Sequence, residues 1–195
     1  MIKAVRYFLT LLTALIFLTT PTNSKVTVES PTSYYYQPDY LSLVKYSIKE
    51  LECLSLNIYF EAGVESTAGK LAVANVTLNR TGSKKFPNTV CDVVKEGRHY
   101  HDRKLDKRYP LRDMCQFSWY CDGLSDEPQR GRTWESAKEI AELALKKHNA
   151  NILIDITDGA THYHANWMET FPKWSKDKKV MASIDRHIFY KSKKK

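Results

Sequence analysis

The segment from Ile58 to Arg80, IYFEAGVESTAGKLAVANVTLNR, decides how the rest of the chain is read. It sets two carboxylates, Glu61 and Glu65, four residues apart, a spacing that puts both on one face wherever the backbone is helical. Ile58, Tyr59 and Phe60 lead into Glu61 and Ala62 follows it. Such apolar surroundings strip a carboxyl of its hydration and favour the neutral acid. A carboxylic acid kept protonated near neutral pH can deliver a proton as a general acid. Ser66 is expected to cap a second helix, whose apolar positions Ala68, Leu71, Ala72, Val76 and Leu78 recur at helical spacing. Asn75 and Asn79, again four apart, are expected on one side of it. Taken alone, the pair also fits two solvated glutamates on ordinary core helices, because helical glutamates mostly face water.

Upstream, Leu41, Val44, Ile48, Leu51, Ser55 and Ile58 follow a helical stripe that Asp39 can cap, and this helix is expected to run into the Glu61 segment. The second helix is expected to end near Arg80, before Thr81 and Gly82. Phe86-Pro87-Asn88-Thr89-Val90 reads as a loop leading to a short helix from Val90 to about Lys95. Gly97 to Asp113 reads as a charged, exposed loop in which His99 and His101 are solvated. In Cys115-Gln116-Phe117-Ser118-Trp119-Tyr120-Cys121-Asp122-Gly123, an extended backbone would put Gln116 and Ser118 on one side and Phe117 and Trp119 on the other. An amide, a hydroxyl and aromatic faces in one piece suit a sugar. Thr133 is expected to cap a helix from Trp134 to Lys147 that buries Trp134, Ala137, Ile140, Ala141 and Ala144. Ile152, Ile154 and Ile156 alternate as in a short strand. Thr161 to Ala165 reads as a strand carrying His162 and His164 on one side, a pattern that also occurs in metal pairs. Val180–Ile184 and His187–Tyr190 are expected to form a hairpin.

Several of these segments resemble, in order, the cell wall hydrolases of the spore-cortex-lytic (SleB-type) family. The family's Y-x-E-A-x-x-E motif matches Tyr59, Glu61, Ala62 and Glu65, followed by Gly69, Ala72-Val73-Ala74, Val76 and Leu78-Asn79-Arg80. Its F-P-N-T-V and V-V elements match Phe86–Val90 and Val93-Val94. Its C-Q-F-S-W-x-C-D-G segment matches Cys115–Gly123. Its G-A-x-x-Y-H-A unit, proline, tryptophan and H-x-F match Gly159-Ala160, Tyr163-His164-Ala165, Pro172, Trp174 and His187-Ile188-Phe189. One departure is Gly63-Val64, where many members carry Arg-Gly. The resemblance implies an α+β fold: a small, mostly helical domain similar to lysozymes and lytic transglycosylases, with a short β-hairpin or small sheet. It implies peptidoglycan glycan strands as substrate and Glu61 as the acid that protonates the glycosidic oxygen. Glu65, Gln116, Ser118, Tyr163 and His164 are the expected supporting or substrate-binding residues. No metal and no other cofactor are expected. A lytic transglycosylase is favoured over a muramidase, since Glu65, one helical turn from Glu61, would sit on the same side of the bond. A non-catalytic wall-binding protein and a metal amidase are the rival classes.

The remaining features concern compartment and organisation. Lys3 and Arg6 precede an apolar run from Tyr7 to about Leu18 that Thr19-Thr20-Pro21 breaks, the layout of a secretory signal peptide. An uncleaved signal-anchor tethering the protein to the membrane is the alternative. The expected organisation is a signal at 1–24, a linker at 25–40 with Tyr34-Tyr35-Tyr36, a catalytic domain at 41–190 and a basic tail at 191–195. Four cysteines, Cys53, Cys91, Cys115 and Cys121, suggest one or two disulfides in an exported protein, with at least one expected within Cys91, Cys115 and Cys121. Removing Lys3 and Arg6 from the net charge of +8 leaves +6, and removing Lys191, Lys193, Lys194 and Lys195 leaves +2. That balance gives no basic face for nucleic acid. The protein is expected to be an exported monomer of the periplasm or envelope. Without a wall-binding repeat, it suits wall remodelling or phage-type lysis.

Overall fold

A computed structural model of the protein describes residues 43–193, so the expected signal, the linker, the Asp39 cap and Leu41 lie outside the described residues. Four α-helices come first in importance: α1 (Ile48–Ala62), α2 (Thr67–Thr81), α3 (Val90–Val94) and α4 (Arg132–Asn149). An antiparallel hairpin, β1 (Gly97–Asp102) and β2 (Lys107–Cys115), stands between α3 and α4. A three-stranded antiparallel sheet of β3 (His162–Ala165), β4 (Lys178–Ile184) and β5 (His187–Ser192) closes the chain, in the order β3-β5-β4. This is the α+β architecture expected, with the sheet small and at one end.

Helix α2 is the centre of the fold, because it is apolar or small almost all round. Val73, Ala74 and Leu78 join one core with α1, α3, α4, Phe117 and Trp119. Ala72 and Val76 face a second core with Ala160 and Phe189 of β5. Ser66 caps α2 as expected, its side chain accepting from the amides of Ala68 and Gly69. The Asp185 carboxylate, in the β4–β5 turn, in turn accepts from the Ser66 amide (2.9 Å) and hydroxyl (2.7 Å). A Cβ at Gly69 would collide with that carboxylate and with Glu65, which gives the motif glycine its physical reason. Between the helices, the fully buried Asn57 amide donates to Thr77 Oγ1 (3.0 Å) and its carbonyl accepts from Trp119 Nε1 (3.0 Å). This satisfied polar chain fixes α1, α2 and the Phe117–Trp119 segment in register.

Several expectations are corrected. Helix α1 begins at Ile48, with Leu43 and Ile48 both exposed, so the apolar stripe upstream of Ile48 is not a buried helical face. Gly131, at φ 142°, and not Thr133, precedes α4; Thr133 is inside the first turn and packs against Gly63. The charged stretch after Gly97 is the β1–β2 hairpin; a two-stranded ribbon without a buried face needs no apolar alternation, so the sequence carried no strand signal. Ile152, Ile154 and Ile156 form no strand: Ile152 and Ile154 face solvent, and the segment is stapled to α2 instead. There Asn75 Oδ1 accepts from the Ile156 amide, and Asn79 donates to Asp155 Oδ2 (2.9 Å) and Ala160 O (3.0 Å), which places both asparagines on one side as expected. Cys115–Gly123 is not extended throughout, since Ser118–Cys121 is a 3-10 turn; the alternation survives, with Phe117 and Trp119 buried and Gln116 and Ser118 exposed. The expected tail is shorter, because Lys191 and Ser192 complete β5. Two disulfides are present. Cys115–Cys121 falls within the expected set, and Cys91 pairs with Cys53, which was not in it.

Candidate active site

Two cavities, of about 590 and about 500 Å³, meet at the end of α1. They share four lining residues: Glu61, Ala165, Trp167 and His187. Together they make one groove with Glu61 at its middle. The first cavity is walled by Tyr59, Gly63, Glu65 and the loop at Gln129–Gly131; the second by Arg80, Gln116, Ser118, Tyr163 and Trp174.

The last turn of α1 explains the position of Glu61. Phe60 stacks on Trp119 at 4.7 Å, and Tyr59 packs edge-on against Trp134 of α4 while its hydroxyl accepts from the Gln129 amide (3.1 Å). These aromatic anchors leave Glu61 half-buried and facing the groove. From β3, Tyr163 donates its hydroxyl to Glu61 Oε2 at 2.8 Å. Burial raises the Glu61 pKa above the ordinary carboxyl value, and the Tyr163 hydrogen bond and the Arg80 charge oppose it only in part. Burial foremost, and then the Glu61 charge, raise the Tyr163 pKa well above 10, so Tyr163 stays a donor.

Glu65 is differently placed. α1 has already ended, at Ala62, and Glu65 sits in the turn before α2. It is therefore not one helical turn along from Glu61, as the spacing alone suggested. Its Oε1 accepts from Arg186 Nε (2.7 Å) and pairs with Nη2 (2.7 Å), and the Glu65 side chain is only 5% exposed. Through Arg186 it holds the β4–β5 turn against the start of α2.

Of the other expected residues, Gln116, Ser118 and Tyr163 line the second cavity with Glu61. His164 lines it too, but both its nitrogens are occupied. Nδ1 lies 2.9 Å from the Ala165 carbonyl, so it carries the proton, and Nε2 then accepts from Tyr190 OH at 2.7 Å. Its ring stacks on Tyr190 and packs against Phe171 and Trp174, a structural setting. His162 shares Trp174 with it, as two histidines on one strand face should. Burial, together with Lys178, Arg80 and Lys85, lowers the His162 pKa to about 4.

Three groove residues carried no assigned role from the sequence. Arg80 is buried, donates from Nε to the Thr161 carbonyl (2.8 Å) and lies over the Phe117 and Phe86 rings at 4.7 and 5.2 Å. Its charge acts on Glu61. A side chain at the Gly63 position would not fit without a shift, because a Cβ there collides with the Tyr59 carbonyl. His187 packs edge-on against Tyr163 at 5.1 Å, and its Nδ1 is enclosed with no hydrogen-bond partner among the described residues. A neutral ring protonated on Nε2 avoids burying an unpaired N–H there. Arg80 and His187 belong to quoted motifs, so a signal existed; Trp167 belonged to none.

The family model described as Cell Wall Hydrolase matches residues 64–190. The chain belongs to this family. Glu61 lies just before the matched residues. Two solved structures are similar. The catalytic domain of the Bacillus cereus SleB protein is 27% identical, with 75% of this chain and 93% of that chain covered and a TM-score of 0.52. The catalytic domain of the germination-specific lytic transglycosylase SleB from Bacillus anthracis is 30% identical, with 75% and 97% covered and a TM-score of 0.53. No curated protein matches this cell wall hydrolase. The fold is thus that of the SleB catalytic domains, and Tyr59–Glu65, Cys115–Ser118 and Tyr163–Ala165, separate in sequence, converge on one groove.

Proposed function

We propose that this cell wall hydrolase cleaves the MurNAc–GlcNAc bond of peptidoglycan as a lytic transglycosylase, with Glu61 as the catalytic acid and then base. The observation that carries the reading is that, among the described residues, the carboxylates lining the groove are Glu61 and Glu65, and Glu65 is held by Arg186. Glu61, whose contact is the neutral Tyr163, is then the carboxyl that moves the protons. In its neutral form Glu61 gives its proton to the glycosidic oxygen, the C1–O bond breaks, and positive charge develops on the sugar ring. Tyr163 steadies the carboxylate so formed. The carboxylate then takes the proton of the sugar's own C6 hydroxyl as O6 bonds to C1, which closes an anhydro ring and restores the acid. Intramolecular attack of this kind has a large effective concentration over water. Gln116 and Ser118 line the second cavity, which supports a role for them in hydrogen-bonding the sugar. Two disulfides and the N-terminal apolar run favour an exported protein acting at the envelope. Mass spectrometry of digested peptidoglycan tests the chemistry. Anhydro ends, one water lighter than reducing ends, are the expected products, and a digest dominated by reducing MurNAc ends would overturn the transglycosylase.

A further inference from the structure

Trp167 is 71% exposed, far more than Trp119, Trp134 or Trp174. Among the described residues it makes no ring contact, hydrogen bond or ion pair, whereas each of the other three tryptophans packs against another aromatic ring. An indole left in water and unused by the core is costly in apolar surface, at about 25 cal/mol per Å². It nonetheless stands where the two cavities meet, as one of the four residues common to both.

Its backbone is held firmly. The preceding residue, Asn166, donates its amide to the Arg186 carbonyl (2.8 Å) and its side-chain amide to the Asp185 carbonyl (3.1 Å). The turn so gripped is itself fixed to α2 by Ser66–Asp185 and Glu65–Arg186. Downstream, Phe171 packs on His164 at 4.5 Å. The loop is thus tied on both sides of an indole that projects freely. A rigid aromatic with two side-chain torsions loses little entropy on meeting a ligand.

We infer that Trp167 is the sugar-stacking platform of the groove, covering the C–H face of a pyranose ring bound across the junction and holding its glycosidic oxygen over Glu61. The inference rests on the glycan-cleaving reading above and adds to it the residue that positions the ring. A flat apolar face suits a pyranose, whose axial C–H groups present an apolar patch between polar edges. A platform at the junction, and not at either end, fixes the ring next to the bond being cut. The loss of Trp167 should therefore raise KM and lower kcat together.

The test uses Glu61→Gln protein, which binds without turnover, and a soluble peptidoglycan glycan fragment of two disaccharide units. Calorimetry measures binding and tryptophan emission reports the environment of the indole. The expected result is a binding-linked change in emission that disappears in Glu61→Gln/Trp167→Phe, together with binding about tenfold weaker in Trp167→Ala and largely restored by Trp167→Phe. Thermal melts of the variants should match the parent, since the side chain is exposed. Calorimetric binding with no emission change, or with equal affinity in Trp167→Ala, would overturn the platform while leaving the glycan reading standing. No binding of the fragment by Glu61→Gln at all would overturn the glycan reading and the platform with it.

Discussion

The end of α1 and the turn directly after it hold two glutamates four residues apart, and they have opposite characters. Glu61 meets one neutral donor, Tyr163, and stays where burial favours its protonated form. Glu65 meets a guanidinium at 2.7 Å and holds a turn in place. The sequence separation is the same as for any i,i+4 pair. The difference comes from where the helix stops and which strand reaches each carboxyl: β3 brings a phenol to Glu61, and the β4–β5 turn brings an arginine to Glu65. A catalytic acid needs a proton to lose, and a neutral partner leaves it one; a cationic partner does not.

The comparison breaks most visibly at Glu61. Glu61→Gln keeps the shape and the Tyr163 contact but removes the proton, so wall-degrading activity in a peptidoglycan zymogram should fall by about 10²–10⁴-fold while the protein stays folded. A folded variant with normal activity would remove Glu61 from the chemistry. Glu65→Gln should cost less, about 10–100-fold, because it loosens the turn that leads into His187 and grips Asn166 without touching the proton donor. If Glu65→Gln were as inactive as Glu61→Gln, Glu65 would be a second catalytic carboxylate. Tyr163→Phe should have the smallest effect on the maximal rate. The phenol lowers the Glu61 pKa, so its removal should move the alkaline limb of the pH–rate profile to higher pH, while the rate drops a few-fold, about 1 kcal/mol for one hydrogen bond. An unmoved limb would mean that the limb does not report Glu61.

Stability sharpens the same contrast. The folded Glu61 pKa lies above the ordinary 4.5, so the folded state holds this proton more tightly than the unfolded chain does. The carboxyl costs nothing below pH 4.5, and stability is lost as pH rises from there through the raised folded value. Glu61→Gln cannot ionise. Its melting temperature should therefore exceed that of the parent by a margin that grows across this window and then levels off. A constant margin at all pH values would show that the Glu61 pKa is not raised.

What the sequence determined by itself were the local matters. Ser66 before an apolar run made a capped helix, and Phe117 and Trp119 went inward whether the backbone was extended or a 3-10 turn. Period and capping are written in neighbouring residues, so they survive without knowledge of the fold. The tertiary structure alone decided the partners. That Glu65 belongs to Arg186 and Cys53 to Cys91, that Asn75 and Asn79 staple a loop which looked like a strand, and that Trp167 stands bare between two cavities all depend on segments far apart in the chain. Even the room beside the end of α1 is decided from outside it, since a Cβ at Gly63 would meet Thr133 of α4. A contact between distant segments leaves no periodic trace in either of them, and it is those contacts that give the two glutamates different partners.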